Sequence, residues 1–179
     1  MRQTFLAIAV ALLAVTSATS AAPETGPVVK NFGPVFPVPD GAFNLEEDTN
    51  YRVSMDVSAT SDFTDERNRH LESAARFLNM HARNGIEPGK IKFALIVHGP
   101  ATKDLLTDAA YRAKFEEPNP NTGLLQELQR AGVKIYLCSQ SASHKGFDYE
   151  AFNPAVTIAV SAMTAHVRLQ QEGYTLIPF

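Results

Sequence analysis

The sequence predicts an α/β fold built on one mostly parallel sheet. Two observations carry that expectation. From residue 51 onward, β-patterned runs alternate with runs at helical spacing, the order that produces right-handed strand–helix–strand crossovers. The segment Ile91–Val97 is nearly all apolar, as a central strand covered on both faces must be.

The elements follow in order. Tyr51, Val53, Met55 and Val57 alternate with Arg52, Ser54 and Asp56, a period of two that reads as a strand with one wetter face. Thr64-Asp65-Glu66 has the makings of a helix start, a hydroxyl cap followed by acids near the positive dipole end. Leu71, Ala74, Ala75, Leu78 and Ala82 then form an apolar helical stripe, which Asn84-Gly85 and Pro88 bring to a stop. The Ile91–Val97 strand runs into His98-Gly99-Pro100. Residues 108–115 read as a helix, 116–120 as a loop, and Asn121 as the cap of a helix through Gln129 that closes at Gly132. Val133–Cys138 is the next strand, and residues 139–146 form a small polar loop. Pro154 onward admits two readings, one helix to Gln171 or a β-branched strand followed by a helix capped by Ser161. The strand reading is preferred because Val156, Thr157, Ile158 and Val160 lie together. Tyr174–Ile177 is the last strand.

Residues 1–21 read as a secretory signal. Arg2 precedes an unbroken apolar run of 11 residues, Phe5–Val15, and then small residues suited to cleavage after Ser20 or Ala21. That run is too short to span a bilayer, and no later stretch spans one either, so a periplasmic or secreted chain without a membrane span is expected. Residues 22–50 hold 5 of the 11 prolines. Val38-Pro39-Asp40-Gly41 carries a turn signal within this arm, which is a hairpin, a docked segment or a free linker.

Composition narrows the function. There are 16 basic and 19 acidic side chains, a formal charge of -3 and no basic block. A chain that binds nucleic acid generally needs a basic stripe to neutralise phosphates, so that partner is not expected. No Gly-Xaa-Ser-Xaa-Gly elbow and no phosphate-binding Gly-rich loop occurs. The single cysteine, Cys138, cannot form an internal disulfide. Open α/β sheets place their sites beyond the carboxyl ends of the strands, where His98 and Cys138 both fall. A thiol at a strand tip before a polar loop is a candidate for a lowered pKa, with His98, His144 and Lys145 as cationic neighbours. Against this stands a packed, inert Cys138. A metal site of His98, Cys138 and His144 is the third possibility, but neither Cys-Xaa-Xaa-Cys nor His-Glu-Xaa-Xaa-His spacing is present. His70, His81 and His166 read as packing or boundary residues.

Phe93–Ala101, Asn121 before Leu124-Leu125, Leu128, Gly132–Cys138 and Leu169–Tyr174, in that order, resemble the DsrE/DsrF-like family of sulfur-relay proteins. The resemblance covers residues 51–179. It implies a flavodoxin-like three-layer sandwich with about five strands, assembled as a trimer or hexamer. Cys138 falls where sulfur-carrying members accept sulfane sulfur as a persulfide. The resulting expectation is an exported, sulfurtransferase-like carrier that uses no cofactor. Cys138 would do the chemistry; His98, Asn121, His144 and Lys145 would bind small sulfur species or face an acceptor thiol protein, under a partial lid of residues 101–120. The alternative is a non-enzymatic oligomeric module that binds a small ligand or partner around a structural Cys138.

Overall fold

Seven residues of alternating polarity, Tyr51–Val57, form β1, and the apolar Ile91–Val97 forms β2 beside it in parallel. This computed structural model describes residues 21–39, 42, 45, 46 and 48–178. Residues 1–20 of the expected 1–21 signal and the Asp40-Gly41 half of the arm's turn lie outside the described residues. Lys134–Cys138 is β3, Val156–Ala159 is β4 and Thr175–Ile177 is β5. The order across the sheet is β4-β3-β2-β1-β5, and every pairing is parallel.

Among the described residues, five α-helices join the strands. They are α1 (Arg69–Arg83), α2 (Asp108–Phe115), α3 (Thr122–Arg130), α4 (Ser139–His144) and α5 (Ala162–Gln171). One face of the sheet presents Val53, Met55, Val57, Phe93, Leu95, Val97, Ile135 and Leu137. These pack with Leu71, Ala74, Ala75 and Leu78 of α1, Tyr111 of α2, Leu124, Leu125 and Leu128 of α3, and Ala142 of α4. The opposite face presents Ala94, Ile96 and Cys138 to Ala162, Ala165 and Leu169 of α5. A sheet with helices on both faces is the three-layer arrangement expected. Crossovers in one direction share a face, so the single reversal, from β4 back to β5, puts α5 alone on the second face.

Three details differ from the sequence reading. Helix α1 begins after Asn68, not at Thr64, because the Asn68 side chain accepts from the His70 and Leu71 N–H groups. Thr64 instead offers its carbonyl to the Tyr111 hydroxyl at 2.9 Å. The expected polar loop after Cys138 is the short helix α4. The expected lid contains core: Ala101, Leu105, Leu106 and Tyr111 are fully buried in the main hydrophobic cluster, so this stretch is packed structure rather than a mobile cover. At the C-terminal end, strand and then helix is the arrangement found, with the Ser161 side chain accepting from the Thr164 N–H.

The proline-rich arm is docked. Asn79 of α1, fully buried, accepts from the Val28 and Val29 N–H groups at 3.1 and 2.8 Å and donates to the carbonyls of Val29, Phe32 and Gly33. Gly33 has φ +65°, and a Cβ there would fall 2.3 Å from the Arg76 backbone nitrogen. The arm can therefore lie this close to α1 only with glycine at that position.

Candidate functional site

The carboxyl edge of the sheet holds one place where successive connections part. Strand β3 leads into α4 on the first face, while its neighbour β4 leads into α5 on the second. Such a divergence opens a crevice, and in α/β sheets that is where ligands bind. Cys138 is the last residue of β3 and pairs in register with Ala159 of β4. It therefore stands at the divergence.

The parity of β3 turns the thiol toward α5, where it neighbours Ala94, Ile96, Ala162, Ala165 and Leu169. Only 6% of the residue is exposed. Burial by itself raises a thiol's pKa. Here the Ser141 hydroxyl and the N–H groups of Ser141, Ala162 and Gln140 favour the anion, and together they outweigh burial and hold the thiol below its ordinary value. The backbone donors come from the first turns of two helices, α4 and α5. Those groups have no partner within their own helices and are free to solvate an anion. Ser141 is itself oriented, since its Oγ accepts from the Gly99 N–H at 3.0 Å. That leaves the hydroxyl proton for sulfur. Gly99 sits at φ +57°, which glycine adopts without cost.

A second cluster lies along the same rim. Asp56, near the end of β1, accepts from His98 Nε2 at 3.0 Å and from His166 Nε2 at 2.7 Å, both on Oδ1. His98 follows β2 and His166 lies on α5, so the carboxylate ties the two layers together. The next-to-last pair of β2 and β3 in register is Ile96 with Tyr136, and the last is Val97 with Leu137. His98 follows directly on the end of β2 and turns its ring to Asp56 of β1.

The remaining residues named from the sequence are dispersed. His144 and Lys145 line a cleft with Gly99, Pro100, Gln140 and Ser141, next to the α4 turn. Lys145 also borders an adjoining cleft with Lys103, Lys114, Phe115 and Phe147. Asn121 does not reach this rim. It is fully buried and accepts from the Asn68 N–H at 2.8 Å while donating to Asp104 and Asn119. His81 packs on Phe77 and Tyr51, and burial holds its pKa down. Among the described residues, no group of three or more His, Cys, Asp or Glu side chains is arranged to hold a metal ion. In the Asp56 cluster both Nε2 atoms already direct their protons at the carboxylate instead of offering lone pairs to a shared centre.

Sequence reasoning missed Ser141, Asp56 and His166. Ser141 had a faint signal, a hydroxyl three residues into a helix that the cysteine caps. Asp56 and His166 had none, being 110 residues apart. No helix among the described residues is long and apolar enough to cross a membrane.

Comparison with known proteins agrees with this architecture. The sequence model of the DsrE/DsrF-like family matches residues 52–179. Among curated proteins, none matches the chain. Solved structures share the fold, two of them as follows. One is the protein of unknown function MTH1491 from Methanobacterium thermoautotrophicum, with a TM-score of 0.54 and 21% identity over 72% of this chain and 99% of that one. The other is the ychN protein from E. coli, with a TM-score of 0.52 and 13% identity over the same shares.

Proposed function

The chain belongs to the DsrE/DsrF-like family, which suggests a sulfur-relay-related role, and on that premise we propose that it carries sulfane sulfur as a persulfide on Cys138. The single observation behind this reading is the place of Cys138 where α4 and α5 diverge, with the first turns of both helices and the Ser141 hydroxyl favouring the thiolate. The thiolate is the form that attacks a sulfane sulfur and that leaves when the sulfur moves on. The slight exposure of Cys138 suits a small donor such as inorganic polysulfide better than a bulky one. The His144–Lys145 cleft beside the α4 turn offers cationic groups to an anionic donor or to an acceptor thiol protein.

The protein acts outside the cytoplasm, in the periplasm or secreted, if the apolar run at Phe5–Val15 directs export. It acts as a homo-oligomer, a trimer or hexamer. Supporting assembly is the apolar surface of Val160, Met163 and Val167, beside a groove lined by Tyr136, Ile158 and Leu169. Large apolar patches of this kind mark contact surfaces on soluble proteins. A second reading, an oligomeric binding module with a packed Cys138, draws on that same surface and on the near-burial of the thiol.

Incubation with inorganic polysulfide followed by peptide mass mapping separates the two. The carrier reading expects a gain of ~32 Da on the peptide containing Cys138, reversed by a reducing thiol. A native Cys138 that neither gains sulfur nor reacts with a small alkylating reagent establishes the binding module instead.

A further inference from the structure

We infer that the lysine-lined cleft beside α4 is a binding site for a small organic anion, one that joins an acidic head to an aromatic or apolar body. The inference is independent of sulfur carriage, and Cys138 does not line this cleft. Lys103 from the 3₁₀ turn Gly99–Leu105, Lys114 from α2 and Lys145 just after α4 bring three cations to one cleft of about 360 Å³. That volume falls in the range of small-molecule sites. The walls come from the connections that leave the carboxyl ends of β1, β2 and β3, where α/β sheets bind their ligands. Among the described residues none of the three ammonium groups forms an ion pair, whereas Arg83, Lys90, Arg112 and Arg168 each meet a carboxylate.

Two of the cations are held in place. Lys103 Nζ donates to the Ser61 carbonyl at 2.9 Å and lies 5.8 Å from the centre of the Phe115 ring. Lys114 Nζ stands 4.4 Å from the centre of the Phe147 ring, a distance at which the ring quadrupole attracts it. Both rings line the cleft and are only half-buried, yet both are anchored. Phe115 packs on the buried Tyr111 at 4.6 Å, and Phe147 meets Phe152 edge-on at 5.9 Å. Against the three lysines the lining sets one carboxylate, the exposed Asp62. Asp104 also interacts with the charge of Lys103, but it is buried and bonded to Asn68 and Asn121. The surplus positive charge selects an anion, and the anchored rings select its body. An ammonium is a compact point charge rather than a planar fork, so phosphate, sulfonate and carboxylate heads all suit the site.

The test is ligand-observed saturation-transfer NMR with phenyl phosphate, a dianion at about pH 7.5. Two competitors divide its chemistry: inorganic phosphate carries the charge without the ring, and benzyl alcohol the ring without the charge. Saturable binding of phenyl phosphate is expected, with a dissociation constant on the order of 1 mM, and each competitor is expected to bind at least about tenfold more weakly. Lys103→Met, Lys114→Met and Lys145→Met keep the apolar stem and remove the charge. Each is expected to weaken binding about two- to fivefold, as for an exposed ion pair, and the triple variant about tenfold or more. Thermal unfolding checks that each variant folds. Should the triple variant fail that check, Lys114→Met carries the test, since Lys114 is exposed and makes no hydrogen bond among the described residues. No saturable binding to the wild type overturns the inference. Full-strength binding by the triple variant, or by Lys114→Met in its place, overturns it too. A competitor as strong as phenyl phosphate itself overturns the pairing of charge with ring.

Discussion

Removing the Ser141 hydroxyl isolates what the donors around Cys138 contribute. In Ser141→Ala the sulfur keeps the N–H groups of Gln140, Ser141 and Ala162 and loses one donor that the Gly99 N–H has oriented at 3.0 Å. A hydrogen bond to a charged group contributes about 1.5–3 kcal/mol. Ser141 is half-buried, so water replaces part of the lost bond and the lower figure applies. At about 1.4 kcal/mol per factor of ten, the thiolate share on the acid side of its titration drops about tenfold. The assay is the rate of alkylation by iodoacetamide against pH, read by intact mass. The expected result is a curve displaced to higher pH, with the same plateau once the thiol is fully ionised. A Ser141→Ala curve that overlays the wild type would mean the hydroxyl does not stabilise the anion. A wild-type midpoint at or above that of an ordinary thiol would remove the whole donor argument.

Three further outcomes test the parts on which the site depends. Asn79→Ala leaves the N–H groups of Val28 and Val29 and three arm carbonyls without their buried partner, and is expected to cost about 3 kcal/mol or more in urea unfolding; a change below about 0.5 kcal/mol would show that the arm is not held there. Val160→Asp places a charge on a residue that is 72% exposed; it is expected to dissociate the proposed oligomer in light scattering while shifting monomer stability by no more than about 0.5 kcal/mol, and an unchanged assembly mass would count against that surface as the contact. Burial raises the pKa of Asp104, against the lowering effect of the Asn68 side chain. The folded chain then binds more protons than the unfolded one just above the ordinary carboxylate range, so stability falls as pH rises through that window, and Asp104→Asn is expected to flatten the slope.

Much of the fold is legible in the pattern of side chains along the chain. Apolar continuity in Ile91–Val97 marks the central strand, and the parity of Val133–Cys138 turns the thiol to the more polar face. The gaps are of two kinds. Local signals compete: Thr64 and Asn68 are both good caps, and only tertiary contacts decide between them, the Asn68 N–H bonding to Asn121 while its side chain reaches Asp104. Other features exist only after folding. Glu72 and Asn79 lie beside the apolar stripe of α1 and look like solvated positions, yet both are buried because the arm covers them. Asn121 carries the side-chain chemistry of a cap but serves a buried polar network, accepting no bond from its own helix. Asp56 reads as the wet side of a strand until α5 brings His166 onto it from 110 residues away. Local patterning thus locates the sulfur, while the groups that set its chemistry come from segments the sequence keeps apart.

The most direct check of sulfur carriage is the intact mass of one sample taken twice, after polysulfide and again after excess small thiol. Persulfide carriage requires one added sulfur, ~32 Da, on wild-type protein and none on Cys138→Ser, followed by return to the starting mass as the sulfur departs. No addition to the wild type, or equal addition to both proteins, would contradict the assignment of Cys138 as the carrier.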